Sequence, residues 1–512
     1  MPSVPTAPPE FVCVMITLLC VRLTHKEITM NRRSVAMVVL IAALFMDHMD
    51  AMITNLALPS IGRDLGATPT ELEWTLTGYI LAFAVGLVSG GRLGDICGRK
   101  RIFLIGIAAF TCASGCAAVA FSGPVLVLAR VLQGAAAALM VPQVLSTAQA
   151  LYLPGERGRI FGVMTALGGV GVLAGQLLGG WLVTADIASL GWRAIFAINL
   201  PVGVLVFLLA VWLVPDTRAG SAIRLDIRGT VLAAASVFLI VFPLTVAAGA
   251  GWPAWVWLLL GGGILAGIFF VRTQLRLSRI GGSPTLPPRL FRLRGFRVAS
   301  LVQAAYHFGW GTFVLMFGLY VQDAVGFTAL EAGLAMAPLT LGTFLATGVA
   351  PLAERLRRIG VLTGALLQAA GFAWYGWVMG TAGSALGLWS LAIPLVVTGI
   401  GMIVLAVPLM SLALEEVAED DAGAASGAFS MFQQVGSALG IATAGIVFFS
   451  IATPGSIDSY EAAITAGNCL TIGAFCVAGL AALGLPSIGR RADGHPAAAP
   501  APMAAGDDAP ER

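Results

Sequence analysis

The sequence predicts an all-α polytopic membrane protein, with fourteen spans set out as two six-helix bundles and a two-helix insertion. Three observations carry that prediction: the composition, the sidedness of the basic residues and an internal repeat. Of 512 residues, 58% are hydrophobic and only 11% are charged, with a mean hydropathy of +0.91. Soluble domains carry about 25% charged residues, so this chain cannot coat a water-facing surface. Soluble, disordered and nucleic-acid-binding classes are excluded on that ground. At about 20 residues per crossing, fourteen crossings take roughly 280 residues and leave short loops and two tails.

Hydrophobic runs place the spans near 35–57, 74–94, 102–121, 125–151, 160–184, 194–214, 228–248, 254–273, 297–321, 332–353, 361–379, 388–413, 423–450 and 462–485. The expected organisation is an N-terminal tail at 1–34, a first bundle at 35–214 and a linker with two inserted helices at 215–296. A second bundle at 297–485 and a cytoplasmic tail at 486–512 complete it. The apolar run Phe11–Val21 is too short to span, and Glu10 before it is unlike a signal peptide. Met30, ahead of Asn31-Arg32-Arg33, reads as a more natural start.

Charge sidedness tests this parse. With both termini in the cytoplasm, 23 of the 29 Lys and Arg residues fall in inner loops or flanks, and only Arg63 and Arg193 fall outside. Such asymmetry is the positive-inside signature. It makes the net charge of +3 a topological signal and not a polyanion-binding patch.

The repeat is carried by glycine. Shifting Glu156–Leu182 by 265 residues onto Asp421–Val447 lays Gly158, Gly162, Gly171, Gly175 and Gly180 on Gly423, Gly427, Gly436, Gly440 and Gly445. Leu93-Gly94-Asp95 is echoed by Leu352-Ala353-Glu354 at an offset of 259. Repeated halves facing one another across a central site are a secondary-transporter design.

Other chemistries find little support. Seven cysteines form no CxxC pair, and only His48 and His307 of four histidines lie in apolar spans, so no metal is expected. The two lysines, Lys26 and Lys100, sit in no phosphate-cradling loop, so ATP is not expected as a partner. There is no nucleophile elbow, and no enzyme activity and no cofactor are expected. An ion gradient is left as the energy source.

The residues that could use one lie in two spans. Asp47, Asp50 and Thr54 share one face of the first. A carboxylate at bilayer depth costs several kcal/mol unless it is paired, hydrated or protonated. Capping a neighbouring helix is the plainer use; carrying a proton is the functional one. The fourth span holds Arg130-Val131-Leu132-Gln133-Gly134. A buried arginine stays charged and needs a partner. It is either a strut to carbonyls or the counter-charge of a helix 1 acid.

The loop after the second span reads Gly91-Arg92-Leu93-Gly94-Asp95-Ile96-Cys97-Gly98-Arg99-Lys100-Arg101. Arg99 to Arg101 suit an inner-face anchor, whereas Asp95 between glycines suits a helix terminus. In the fifth span, Gly171, Gly175, Gly179 and Gly180 allow close helix packing, and Gln176 beside them suggests a polar neighbour.

These segments resemble the major facilitator superfamily, and in particular its fourteen-helix drug:proton antiporter (EmrB/QacA-like) family, over about residues 35 to 485. Gly91 to Arg101 is similar to the superfamily's loop signature. Leu126, Arg130, Gln133 and Gly134 resemble the helix 4 motif. Gly171, Gly175, Gly179 and Gly180 resemble the helix 5 antiporter motif. Asp50, Asn55, Ala57, Leu58 and Pro59 resemble the family's helix 1 signature. Gln176, Ile96 and Met52 depart from it, standing where a proline, an arginine and a threonine are usual.

The resemblance implies a major facilitator fold in a bacterial inner membrane. It implies proton exchange through Asp50, Asp47 and Arg130, and a cytoplasmic gate built on Gly91, Asp95, Gly98 and Arg99 that locks the halves together. Substrate-cavity candidates on the lining spans are Gln143, Gln176, Gln303, Tyr306, His307, Trp310, Gln433 and Gln434. The expected partners are the lipid bilayer and a small amphipathic substrate, with a periplasmic adaptor left open. Import by a proton symporter, or a transport-inactive sensor, remain as alternative functions.

Overall fold

The computed structural model describes residues 32–486, apart from 153, 186, 218–225, 283, 383–386, 418–421 and 454–455. The expected tails at 1–31 and 487–512, and with them the question of the start at Met30, lie outside the described residues. The long helices are α1 (Arg32–Leu65), α2 (Pro69–Cys97), α3 (Arg99–Ala118), α4 (Gly123–Leu151), α5 (Pro154–Ala185), α6 (Asn199–Leu213) and α7 (Ile227–Ala250). They continue with α8 (Ala254–Arg279), α9 (Arg294–Leu319), α10 (Ala329–Thr347), α11 (Arg358–Ala382), α12 (Ala392–Leu414), α13 (Ala422–Ile451) and α14 (Ile457–Ala482). Among the described residues, 11 helices are long and apolar enough to cross a membrane, or 12 if the bent α2 is one span.

Packing repeats between the two ends of the chain. In the first part α1 pairs with α5 and α6, α2 with α4, and α3 with α4 and α6; in the last part α9 pairs with α13 and α14, α10 with α12, and α11 with α12 and α14. The two groups of six therefore share one plan. They meet through α2 against α13 and α5 against α10, while α7 and α8 pair with each other and α7 rests on α2 and α13.

The glycine repeat has a direct cause in this plan. A methyl group built at Gly175 would lie 2.6 Å from the Met49 carbonyl oxygen, and one at Gly171 3.1 Å from that of Phe45. Their repeats Gly436 and Gly440 are pressed in the same way onto the Ala304 and Phe308 carbonyls of α9. Small residues let α5 close on α1, and α13 on α9, where lipid offers no hydrophobic drive. The last pair crosses between the groups: Gly180 meets Leu330 at the start of α10, and Gly445 meets Glu73 at the start of α2.

Those two helix starts also match. Thr68 caps α2 in a capping box with Glu71, and Thr328 caps α10 in a capping box with Glu331. Hydrogen bonds between the two groups gather on this same end of the molecule. Asn55 Nδ2 donates to the Val314 carbonyl (3.0 Å) and Gln322 Nε2 to the Leu56 carbonyl (3.1 Å). Gln322 is aimed there by the π-helical turn Tyr320–Ala324 that ends α9, a device that re-aims side chains at helix ends.

A second polar cluster fixes the insertion at the opposite end. Asp226 caps α7 through the Gly229 amide, and its other oxygen accepts from Gln274 Nε2 of α8 (2.6 Å) and Thr285 Oγ1 (3.1 Å). Burial pushes this carboxyl up, but the bonds from Gln274, Gly229 and Thr285 outweigh it and hold the group below its usual value. A depressed folded-state value stabilises above the unfolded one and is lost as pH falls through the folded one. Asp226→Ala is expected to cost about 1 kcal/mol as a lost cap. It should also flatten the loss of thermal stability below about pH 4, read by unfolding scans in detergent.

Candidate functional site

The face of α1 bearing Asp47, Asp50 and Thr54 turns into the first group of six helices, and all three side chains are buried. Asp50 is wholly enclosed. Arg130 NH1 of α4 donates to its Oδ2 at 2.5 Å; Asn199 Nδ2 of α6 (2.6 Å) and Gln133 Nε2 of α4 (2.9 Å) donate to its Oδ1. Arg130 is 1% exposed, and its Nε donates to the Thr75 carbonyl of α2 at 3.1 Å. Gln133 Oε1 takes a further bond from Arg130 (2.6 Å), and Gln133 Nε2 reaches Ser114 Oγ of α3 (2.8 Å). Five helices thus converge on one ion pair.

Burying two charges is tolerated where each keeps its full set of hydrogen bonds. Asp50 meets that condition with three side-chain donors. Arg130 bonds a carboxylate, an amide and a backbone carbonyl from Nε and NH1, and its guanidinium also lies over the Tyr79 ring at 4.3 Å, within cation–π range. The same Tyr79 donates its hydroxyl to Asp47 Oδ1. Asp47 Oδ2 stands 3.7 Å from Nδ1 of His48, whose side chain is 43% exposed. Half-exposed His48, Asp47, Tyr79, Arg130 and sealed Asp50 therefore follow one another in space, joined by an ion-pair approach at His48, the Tyr79–Asp47 hydrogen bond, the Tyr79 ring face under Arg130 and the Arg130–Asp50 pair.

The glycines Gly171, Gly175 and Gly179 of α5 pack on Phe45, Met49 and Ile53, the turns of α1 that carry these acids. Met52, where a threonine is usual, lies against Gly175. Gln176 is 2% exposed and accepts from Thr340 Oγ1 of α10 at 3.2 Å, so the residue that stands in place of a proline ties α5 to the other group. Backbone contact continues there, with Gly333 of α10 set close against the Gln176 carbonyl.

The loop signature serves a local turn. Gly98 has φ +98°, a conformation that favours glycine, and it joins α2 to α3 with no spacer. Asp95 Oδ1 accepts from Arg99 NH2 (3.0 Å), and Arg99 NH1 reaches the Ser146 carbonyl of α4 (2.8 Å). Among the described residues Asp95 is bonded to its own neighbour Arg99, which in turn reaches α4 of the same group, and no bond from Asp95 to the second group is seen. The weak echo Glu354 stands likewise, accepting from Ser411 Oγ of α12 at 2.8 Å. Gly91 lies beside Pro142, in ordinary contact.

The cavity candidates separate into three sets. Gln143 is wholly buried in the α2–α4 seam, where Gly94 leaves room for its side chain and it donates to the Gly90 carbonyl (2.8 Å). It is a packing residue here, a correction to its place among cavity candidates, and the cause is the glycine-lined approach of α2. Gln303 donates to Gln433 Oε1 across α9 and α13 (3.2 Å), and His307 Nδ1 lies 3.0 Å from the Gln303 carbonyl. Gln434, next along α13, is half-buried. Tyr306 and Trp310 turn inward, into an aromatic cluster with Phe313, Phe372, Tyr375 and Phe475 of α9, α11 and α14.

The two groups thus differ at equivalent places. The heart of the first, between α1, α3, α4 and α6, is an ion pair with amides. That of the second, between α9, α11 and α14, is a stack of aromatic rings, with Phe372 and Phe475 parallel at 5.4 Å. Sequence reasoning missed Asn199, Ser114, Thr75 and Tyr79 as partners of the acids. A lone asparagine in the otherwise apolar run 194–214 was the available signal. Among the described residues no cluster of His, Cys, Asp or Glu could hold a metal ion.

A twofold-repeated helical bundle with a charged heart at membrane depth defines a class, the membrane transporters built on repeated halves. The Major Facilitator Superfamily model matches residues 40–441, and the chain belongs to that family. It is 36% identical over 424 residues to the "Probable actinorhodin transporter" of Streptomyces coelicolor, covering 82% of this chain and 73% of that one. It is also 36% identical to the puromycin resistance protein pur8 of Streptomyces alboniger, over 80% of this chain and 81% of that one. The fold is shared with a bacterial homologue of the human lysosomal transporter Spinster, solved inward-facing and unoccupied. The TM-score is 0.59 at 17% identity, over 89% of this chain and 98% of that one.

Proposed function

We propose that this protein is a proton-coupled exporter of small amphipathic, largely aromatic compounds, working by alternating access as a fourteen-helix drug:proton antiporter in a bacterial inner membrane. The observation that carries the reading is the enclosed Asp50–Arg130 pair, reached from a half-exposed residue through Asp47 and Tyr79. A purely structural strut would be served by backbone carbonyls and needs no second acid one turn away.

The fourteen crossings comprise the twelve apolar spans together with α5 and α9, which pack as full members of their groups. With basic loops inside, both termini are cytoplasmic, and the end sealed by Asn55 and Gln322 faces outward. The conformation is then open to the cytoplasm. A proton arriving at Asp50 removes the charge that holds Arg130; the guanidinium is freed toward the Asp47–Tyr79 side, and the same proton leaves to the cytoplasm when Arg130 returns. Substrate leaves by the opposite route. The names of the antibiotic-handling relatives and the aromatic heart of the second group support aromatic, amphipathic cargo. No cofactor is needed beyond the proton gradient.

The test is a resistance and accumulation screen in an efflux-deficient host. The wild-type protein should lower accumulation of several lipophilic aromatic antibiotics, and an uncoupler should abolish the effect. Accumulation that rises on expression would support import instead and reject the export reading.

A further inference from the structure

One buried acid has no part in the network above. Glu73, on the first turns of α2, is 2% exposed and is packed into the gap that Gly445 leaves on α13; a methyl group there would lie 2.6 Å from its Oε2. That oxygen has no hydrogen-bond partner, and among the described residues the carboxyl forms no ion pair. The α2–α13 contact is one of the two seams joining the groups, and Glu73 lies at its sealed end.

Packing does not require an acid there. Glu73 stands five residues after the capping Thr68, and the position five residues after the matching cap Thr328 is Gly333. Gly333 fills the equivalent place in the α5–α10 seam with backbone contact alone, against the Gln176 carbonyl. The repeat thus builds one seam from glycine and backbone, and the other from glycine and a carboxyl group.

Among the described residues no ion pair or hydrogen bond offsets an ionised Glu73: at the same end of α1, exposed Arg63 is bonded to Ser60 and exposed Asp64 to Arg193. From α4 the nearest charged group is Arg130, bound to Asp50 and the Thr75 carbonyl. On α1, Asp50 is held by Arg130 and Asp47 by Tyr79. Along α2 itself, Glu71 is engaged in the cap. Residues 230–250 of α7 and all of α13 contain no ionisable side chain. A carboxylate sealed there without a partner is strongly disfavoured, whereas the neutral acid is tolerated far better. Closure of this seam and occupancy of Glu73 by a proton are therefore linked.

We infer that Glu73 is a second proton-binding site that latches the outward end shut: the protonated acid permits the α2–α13 seam to close, and loss of the proton to the outside forces it apart. No bond other than the carboxyl O–H is made or broken, and the proton exchanges with outside water. The inference rests on the transporter reading for its direction, but the linkage at the seam stands apart from transport.

The test uses the full chain in lipid nanodiscs, with native cysteines replaced and spin labels at Thr70→Cys of α2 and Thr453→Cys after α13. The wild-type pair is expected to shift from a short to a long separation as pH rises, with the open-to-closed ratio changing by up to about tenfold per pH unit for one linked proton. Glu73→Gln should stay closed at every pH, and Glu73→Asp should keep the transition at a displaced midpoint. In Asp50→Asn the transition should persist, which separates this site from the coupling pair. A Glu73→Gln protein that titrates like wild type, or a wild-type seam indifferent to pH, overturns the inference. A protein that titrates at the seam but moves no substrate on a proton gradient overturns the transport reading instead.

Discussion

Asp50→Asn is expected to reduce proton-driven efflux to background while leaving a folded protein in the membrane. The substituted amide keeps one acceptor oxygen, so Asn199 or Gln133 can still be served. Its Nδ2 must then face another donor, and Arg130 loses the one carboxylate bonded to it among the described residues. Leaving one buried charge uncompensated costs about 3–5 kcal/mol. Part of that cost is relieved because Arg130 still reaches Gln133 and the Thr75 carbonyl. A thermal-shift measurement on purified material checks that the variant folds, and uptake into everted vesicles under an imposed acid-inside gradient reads coupling. In the proposed mechanism Asp50 is the proton carrier, so gradient-driven uptake should vanish even where substrate binding persists. Uptake at wild-type rate would remove Asp50 from the mechanism. Asp47→Asn should give a milder defect, since Asp47 is bonded to Tyr79 and approached by His48 but is not paired with the buried Arg130.

The second large effect is expected at the glycine contacts. Gly175→Leu places a branched side chain where even a methyl group would lie 2.6 Å from a backbone carbonyl and 3.1 Å from Met52 Cβ. A flexible side chain can move aside, but the α1 backbone cannot without shifting Asp50. Overpacking typically costs about 1–3 kcal/mol, and a backbone clash sits at the upper end. Gly440→Leu should do the same to α13 and α9 through the Phe308 carbonyl. Both variants should lose thermal stability in detergent and lose transport. Gly261→Leu on α8 is the control: nothing stands within 4 Å of an added methyl group, and its effect should be near zero. Equal losses at Gly261 and Gly175 would show that general helix sensitivity, not close approach, sets the result.

Much of this arrangement was legible in the sequence because lipid restricts the choices. Helix positions follow from apolar runs of spanning length, and the observed helices begin or end a few residues beyond them where polar flanks continue the helix, as at 58–65 of α1. The glycine repeat marked the α1–α5 and α9–α13 contacts because close packing in a membrane leaves a compositional trace. Asp50 and Arg130 were legible as partners because each is intolerable alone at that depth.

Other parts depend on helix rotation, which one chain does not report. Gln143 reads as a cavity residue by type, yet its phase on α4 turns it into the α2 seam. Asp95 has two possible partners by chemistry, and the conformation decides between a distant helix and Arg99. Glu73, two residues after a capping Glu71, reads as an ordinary helix-start acid until its burial against Gly445 is seen. Tyr306 and Trp310 share a face as expected, but that face points into a ring cluster contributed by two other helices.

Proton movement measured beside substrate movement tests the central claim most directly. Purified protein in liposomes, given an outward-directed substrate gradient and no imposed pH difference, should drive protons the opposite way, seen as a pH change on the substrate-loaded side. Asp50→Asn should move none. Substrate flux that proceeds at full rate with no accompanying pH change, and that ignores an imposed proton gradient, would contradict the account.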